Sequence, residues 1–587
     1  MDRGWHILIS IVLAAAFAGA ALTIAVAPLQ VLARTGFLRS PGPELVPLAW
    51  GIAATLLALA AANLAGSAQT AAQTGRLAVQ RALPVALLAS LPLLGFAQVF
   101  SHWWIDDAGI TFAYSRSLAE GHGLVAQPWM PREEGYSSSL WMAILAGGHA
   151  LGADIPQLAK ALGIGCAMLA SVLVALAAMA RTADARLGAA AGLTAGTAPV
   201  VVWAASGQEH ALQALLLVAA GLSPLVTKRW RRALALILAL YVFVRPEAPL
   251  LVIGAAVAVV ALSERSTWTG RIWEGVLIGL PALAAVAGLI AFRIAYFGDP
   301  FPNPYYAKAS DVGVLPVLNL FAGGWQYVLT GLAHSGALLL VGLVAMAGVR
   351  RDDPACVLVL ALVTAQIVFV AWAGGDWMFQ ARFLMPILPL IAFLAALALR
   401  RFEGGTARLL ASTAAVLTIL GYTVPELARA RAQPSTPLAV VGQIGDTFAE
   451  AGRRLGVDDP LLAHHDAGAI AYRRTIRLLD LGGLLNRQIA QNMTDRAFLL
   501  TYIVEQQRPD FVFGARNFSA RTGFVQSEAF AAAYVPLRFV DQPWMSSDLS
   551  YVRRDIVAPA PGITLVRSET GALVEVRVAV PGALADG

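Results

Sequence analysis

Residues 158–204 read LAKALGIGCAMLASVLVALAAMARTADARLGAAAGLTAGTAPVVVWA. Two apolar runs are joined by a short polar turn that carries Arg181, Asp184 and Arg186. Roughly 20 apolar residues make a helix that crosses about 30 Å of hydrocarbon. Two such runs around an arginine-flanked turn read as a transmembrane hairpin whose turn lies in the cytoplasm. The pattern repeats outward in both directions. Candidate spans fall at 6–32, 44–66, 83–100, 157–180, 187–204, 208–226, 232–245, 247–263, 272–294, 329–348, 355–373, 382–399 and 408–425. The first is too long for the h-region of a cleaved signal. The expected fold is a polytopic α-helical membrane protein of about 11–13 transmembrane helices.

Composition agrees. Of 587 residues, 58% are hydrophobic and 13% charged, with a mean hydropathy of +0.67. Soluble domains carry about 25% charged residues, so a water-soluble enzyme and a disordered chain are both excluded. The two cysteines, Cys166 and Cys356, lie inside apolar runs and offer no disulfide framework. The net charge of +6 comes from short clusters between spans, including Arg76/Arg81, Lys228–Arg232, Arg265/Arg271, Arg350/Arg351 and Arg400/Arg401. That distribution orients a membrane protein and gives no footprint for nucleic acid.

With these clusters inside, and 138–152 lying as an interfacial helix, the N-terminus is cytoplasmic and 430–587 extracytoplasmic. The chain divides into two additional N-terminal helices (1–66), a catalytic membrane domain (67–428) with an external loop at 101–138, and a C-terminal domain (429–587). In that last stretch, strand-length runs such as LLAHHD (461–466) and DFVFGA (510–515) alternate with helical ones, as expected of a soluble α/β domain. The expected site is a multi-pass bacterial inner (plasma) membrane protein's external face, because every loop rich in unusual polar residues falls there.

Those loops supply the candidate chemistry. Asp106 and Asp107 follow Trp103-Trp104, whose indoles mark the membrane surface. The plain reading makes Asp106 an N-cap and Asp107 a first-turn acid; the functional one makes them a catalytic pair. Asp107, Thr111 and Tyr114 share one helical face, and the helix is expected to stop at Gly121 or Gly123. Arg245-Pro246-Glu247 places ionisable groups at the membrane edge, either as a structural brace or as a binding site. Arg382, Lys308 and Arg293 add cations at the same level, and such groups suit a phosphate. No His-x-x-His or paired-cysteine motif suggests zinc. A divalent cation between Asp106, Asp107 and another carboxylate stays open.

Taken in order, D-D-x-x-I-T-x-x-Y-x-R-x-L-A-x-G-x-G-L (106–124), E-G-Y-S-S-x-L-W (134–141), S-G-x-E (206–209), R-P-E (245–247), P-N-x-x-Y-x-K (302–308) and G-G-D-W-M-x-x-x-R-F (374–383) resemble the GT-C superfamily of polyprenyl-phosphate-sugar-dependent glycosyltransferases. The nearest likeness is the branch holding mycobacterial-type terminal arabinofuranosyltransferases. The resemblance covers 83–400, and more loosely Asp466–Ile470 and Leu479–Leu481. It implies a GT-C-like membrane domain and transfer of a sugar, arabinofuranose or another pentose or hexose, from a polyprenyl-phosphate donor to an extracytoplasmic glycan or glycoconjugate. It places the catalytic acid at Asp106 or Asp107 and the donor phosphate at Arg245, Arg382 and Lys308, with Arg293 in support. Substrate contacts are expected from Thr111, Tyr114, Arg116, Glu134, Tyr136, Glu209, Glu247, Asn303, Tyr306, Asp376 and Trp377. Gln127–Arg132 and Arg116-Ser117 depart from the family's usual asparagine-containing pattern. A lipid-linked sugar flippase is the competing class, and an O-antigen ligase or polymerase using diphosphate donors is a second. Polar groups gathered at one face favour the enzyme over a transporter.

Overall fold

The computed structural model describes residues 45–68, 76–309, 323–347, 353–514, 523–542, 545 and 550–580. The expected span at 6–32 lies outside them. The chain forms two compact units. The first comprises residues up to Ser101, Ala159–Gly288 and Val314–Ser435; the second comprises His102–Leu158, Leu289–Gly313 and Thr436–Gly587.

The first unit is the membrane-spanning one. Among the described residues, six helices are long and apolar enough to cross a bilayer, or up to eight if each of two bent pairs counts as one span. The unbent ones include Leu45–Ala68, Ile155–Thr182, Pro354–Trp372 and Gly405–Ala432. Two expected spans are broken. The run at 187–204 folds as Ala185–Ala195 and Ala198–Ala205, bent by 57°. Gly196 and Pro199 sit at the break, where glycine releases the backbone and proline restarts a helix at its first turn. The run at 329–348 bends by 97° between Trp325–His334 and Ala337–Met346, around Gly336 with φ +72°. Shorter apolar helices follow at His210–Val226 and Ala248–Ala261. The expected span at 382–399 becomes regular helix only from Leu388, after a 3-10 turn at Met385–Ile387. Lys160 is buried and donates to the carbonyls of Phe100 (2.5 Å) and Ser101 (2.7 Å), satisfying acceptors at a helix end.

The second unit is α/β. It takes in 102–158 and 289–313, which the sequence reading places in the membrane domain, together with the C-terminal segment. Helix α1 (Asp106–Ala119) and helix α2 (Ser139–Ala150) come from the first loop. Helix α3 (Leu438–Arg454) and the short helix α4 (Gly468–Arg473) belong to the C-terminal segment. Seven strands make one sheet: β1 (Leu461–His464), β2 (Arg477–Asp480), β3 (Phe511–Phe513), β4 (Tyr534–Phe539), β5 (Ser550–Arg553), β6 (Ile563–Arg567) and β7 (Leu573–Val578), in the order β2-β1-β3-β5-β4-β7-β6. β1 pairs in parallel with both β2 and β3, with His464 opposite Asp480 on one side and Phe513 on the other. β1 and β3 are buried along nearly their whole length, as apolar parallel strands must be. The core joins Ile110, Tyr114 and Tyr136 of the first loop to Phe448, Leu462, Ile470 and Phe511 of the C-terminal segment.

Candidate functional site

In the second unit, α1 begins without a cap of its own. Its N-cap is Ile105, whose side chain cannot accept a bond. Asp106 instead turns its carboxylate onto another helix: Gly468 N–H donates to Oδ2 (2.9 Å) and Ala469 N–H to Oδ1 (2.7 Å). It thus serves the free amides at the start of α4, 362 residues away in sequence for the first of these bonds. The backbone reinforces the join. Asp106 N–H donates to Thr436 O and Leu438 N–H to Trp104 O, both at 2.9 Å.

The approach of α1 to α4 is close enough to require glycine on both sides. A Cβ on Gly468 would lie 1.8 Å from Asp106 O, and one on Gly109 2.5 Å from Gly468 C. Gly109 was passed over in the motif, where it is an unspecified position, and Gly468 lay within the loosely resembling segment Asp466–Ile470 without a role; the structure shows both as points of close backbone approach.

Asp106 is 3% exposed, and burial raises its pKa well above the usual carboxylate range, with the charge of Asp466 adding to the rise and the two amides opposing it. Asp107, the next residue, is only partly buried. Asp466 is raised by burial and by the charge of Asp107, against the pull of His465. Asp480, at the end of β2, is pushed up to about 7 by burial, despite N–H bonds from Gly482 and Leu485. Four carboxyls and two histidines therefore gather where β1 and β2 end and α1 begins.

A second group lies further along α1. Thr111 is buried. Tyr114 OH donates to Glu133 O (2.6 Å) and accepts from Gly135 N–H (3.0 Å), and its ring meets Tyr136 edge-on at 4.9 Å. Glu134 takes both Nε and NH2 of Arg293, at 2.6 and 3.0 Å. Asn303 N–H donates to Glu134 O, and its amide donates to Glu133 Oε2 (3.1 Å), which also accepts from Arg487 N–H (2.6 Å). Tyr306 OH donates to Asp299 (2.6 Å). Arg116 pairs with Glu120 (2.8 Å) and donates to Tyr472 O. Lys308 lies on the helix Asn303–Ala309. Gln127, in the segment that departs from the family pattern, donates to Ile476 O and accepts from Leu478 N–H, so that segment packs against β2.

The spanning unit assembles the remaining candidates around one ring. The guanidinium of Arg245 lies 5.6 Å from the centroid of Phe383 and that of Arg382 5.0 Å from the same ring. Arg245 sits between Glu209 (2.9 Å) and Glu247 (3.1 Å), and Gln213 donates to Glu247 (2.8 Å) and to Tyr241 OH (2.6 Å). Arg382 pairs with Asp376 at 2.7 Å and lies 5.7 Å from the Trp203 ring. Both arginines and all three carboxylates except Asp376, whose side chain alone is 6% exposed, are under 9% exposed as whole residues. Trp377 is exposed.

Comparison with known proteins gives three results. A family model described as a domain of unknown function, DUF8728, matches residues 419–554. No curated protein matches the chain in sequence. Among solved structures, ArnT from Cupriavidus metallidurans bound to undecaprenyl phosphate superposes with a TM-score of 0.52 at 14% identity, covering 82% of this chain and 99% of that one. The archaeal oligosaccharyltransferase AglB from Archaeoglobus fulgidus, in complex with an inhibitory peptide and a dolichol-phosphate, gives 0.46 at 12% identity, covering 82% and 75%. The likeness to ArnT shows the fold: this chain is a multi-pass membrane protein that shares the architecture of ArnT, with a C-terminal α/β domain.

Proposed function

We propose that the protein is a membrane glycosyltransferase that moves a sugar from a polyprenyl-phosphate donor to a glycan or glycoconjugate acceptor outside the cytoplasm. The observation that carries this reading is the division of labour between adjacent aspartates. Asp106 is committed to the Gly468 and Ala469 amides, and this fixes the first turn of α1. Asp107 keeps partial exposure beside it. In this reading Asp107 is the general base toward the acceptor hydroxyl, and Asp106 positions it. The fold shared with ArnT, solved with undecaprenyl phosphate, supports a lipid-phosphate donor.

The donor phosphate is assigned to arginine, whose planar fork matches phosphate oxygens. Arg382, beside Asp376 and the Trp203 and Phe383 rings, is the first candidate for that phosphate. Arg245 is the brace of that cluster, and Arg293 and Lys308 are further cations of the second unit. As the glycosidic bond to phosphate breaks, charge grows on the leaving oxygen, and fixed cations stabilise it in a site of low dielectric. The sugar is a pentose or hexose, with arabinofuranose favoured by the motif resemblance.

The test is transfer by the purified protein from defined lipid-monophosphate and lipid-diphosphate sugars. Asp107→Asn should lower turnover by about 10²–10⁴-fold while donor binding persists. Turnover retained in that variant, or confined to diphosphate donors, would overturn the reading.

A further inference from the structure

The parallel part of the sheet runs β2-β1-β3, so the connection from β1 to β2 goes to one side and the connection from β2 returns past β1 to β3 on the other. In open α/β sheets such a reversal opens a crevice beyond the carboxyl ends of the strands, where ligands bind. The residues standing at that point here are His464, His465 and Asp466: the last of β1 and the two that follow it. Each offers one ligand atom, and the three atoms lie within 4.8 Å of one another.

His464 is 0% exposed. Its Nδ1 lies 2.8 Å from Asp466 N and 3.1 Å from Asp466 O, so the backbone serves that nitrogen in either tautomer. Its Nε2 is buried with no partner among the described residues, and so is Nδ1 of His465. A buried ring nitrogen without a partner forfeits the hydrogen bonds it makes in water, and Nε2 of the fully buried His464, at the end of a strand, needs a reason. Packing alone does not give one. The His464 ring is stacked between Phe513 (4.9 Å) and His465 (4.8 Å), a place a phenyl ring would fill without that cost.

We infer that His464, His465 and Asp466 form a binding site for a divalent cation of the zinc class at the switch point of the sheet. Two imidazoles and one carboxylate are the donor set such borderline ions prefer over hard magnesium or calcium. His465 Nε2 stands 3.4 Å from Asp466 Oδ2, about the ligand–ligand edge of a tetrahedral centre with bonds near 2.1 Å. The His464 and His465 rings are 16° from parallel and imidazole lone pairs lie in the ring plane, so a shared ion requires the His465 ring to turn out of its stack as the three atoms, now within 4.8 Å of one another, close on that spacing; the His465 and Asp466 side chains, 31% and 33% exposed, have the freedom to do so. Three protein ligands leave at least one position open, as in catalytic rather than structural centres. The ion tightens the turn between β1 and α4, the helix whose first amides hold Asp106. This inference goes beyond the proposed glycosyl transfer and does not require it.

The binding test therefore uses no turnover. The full-length protein, stripped with chelator and dialysed in detergent, is titrated calorimetrically with Zn²⁺ alone; one equivalent should bind. His465→Ala and Asp466→Asn should each weaken binding by about tenfold or more, the scale of losing one ligand or its support. His122→Ala, a half-exposed histidine in the loop after α1, should leave binding unchanged. Each variant is scored only if its metal-free unfolding midpoint matches the parent's. Co²⁺ added to the unaltered protein gives a second reading, with visible d–d bands of low-coordinate nitrogen and oxygen ligation. Absence of a bound equivalent, binding indifferent to both variants, or a Co²⁺ spectrum of the hexaaquo ion would each overturn the site. If metal binds and no sugar is transferred, the site stands and the functional reading falls.

Discussion

In the spanning unit, Arg245 lies between Glu209 and Glu247, and Arg382 against Asp376. Cation and carboxylate are often near neighbours in sequence, as in Arg245-Pro246-Glu247 and Asp376–Arg382. In the second unit, the buried Asp106 is met by two backbone amides from a distant helix, with Asp107 and Asp466 nearby. The first arrangement neutralises charge where water is scarce and demands little of the acids it pairs. The second leaves negative charge in excess and raises the proton affinity of Asp106 and Asp466 above that of an ordinary carboxylate. On the proposed reading, the difference separates a bracing cluster from one arranged for acid–base work.

Removing the centre of the brace should have the largest effect on stability. Arg245→Met leaves Glu209 and Glu247 buried without their cation, at a cost of about 3–5 kcal/mol. The triple variant Arg245→Met, Glu209→Gln, Glu247→Gln removes the charges together and should recover most of that loss. Thermal unfolding in detergent, followed by intrinsic fluorescence, compares the two. A single variant as stable as the parent would show that the arginine is not what holds those acids.

Gly468→Ala attacks the join in the second unit. The new methyl meets Asp106 O at 1.8 Å, a main-chain atom that cannot swing aside. α4 must retreat from α1, and the two amide bonds to Asp106 lengthen. A loss of about 1–3 kcal/mol is expected, in the range of overpacked interiors. Because Asp107 rides on the same turn, turnover should fall more than stability alone explains. Asp106→Asn, which keeps one acceptor oxygen, should be milder than Gly468→Ala in unfolding.

How much of this was open to sequence reading depends on distance along the chain. Most spans were legible because hydropathy is a local property, and so was the stop of α1, which ends at Ala119 ahead of Gly121 with φ +84°. The bends within 187–204 and 329–348 were written in Gly196, Pro199 and Gly336 but masked by unbroken apolar runs. The ion pair Arg245–Glu247 could be guessed from its spacing. The partner of Asp106 could not, since no local rule ties residue 106 to residue 468. The pairing of Glu134 with Arg293 was equally hidden, although both were candidates singly. His464-His465-Asp466 lacks any His-x-x-His spacing; its signal was position, three polar residues between a strand-length apolar run and a glycine-started helix.

The gentlest test of the contrast uses Glu133, which like Asp106 is held by neutral donors at short range. Both of its bonds, from Arg487 N–H and the Asn303 amide, go to one oxygen, so glutamine can keep both. Burial raises the Glu133 pKa above its ordinary 4.5, and the two donors and the charge of Arg487 only partly offset it. With the folded value above the unfolded one, the stability carried by the protonated acid is complete below pH 4.5. It is lost as the pH climbs through the folded value, because the unfolded chain ionises first. Glu133→Gln does not ionise. It should match the parent at pH 4 and unfold about 1–2 °C higher at pH 7.5, a small fraction of the Arg245 effect. A variant less stable than the parent at pH 7.5 would mean that the Glu133 charge is wanted by Arg487, placing this part of the second unit with the braced clusters of the first.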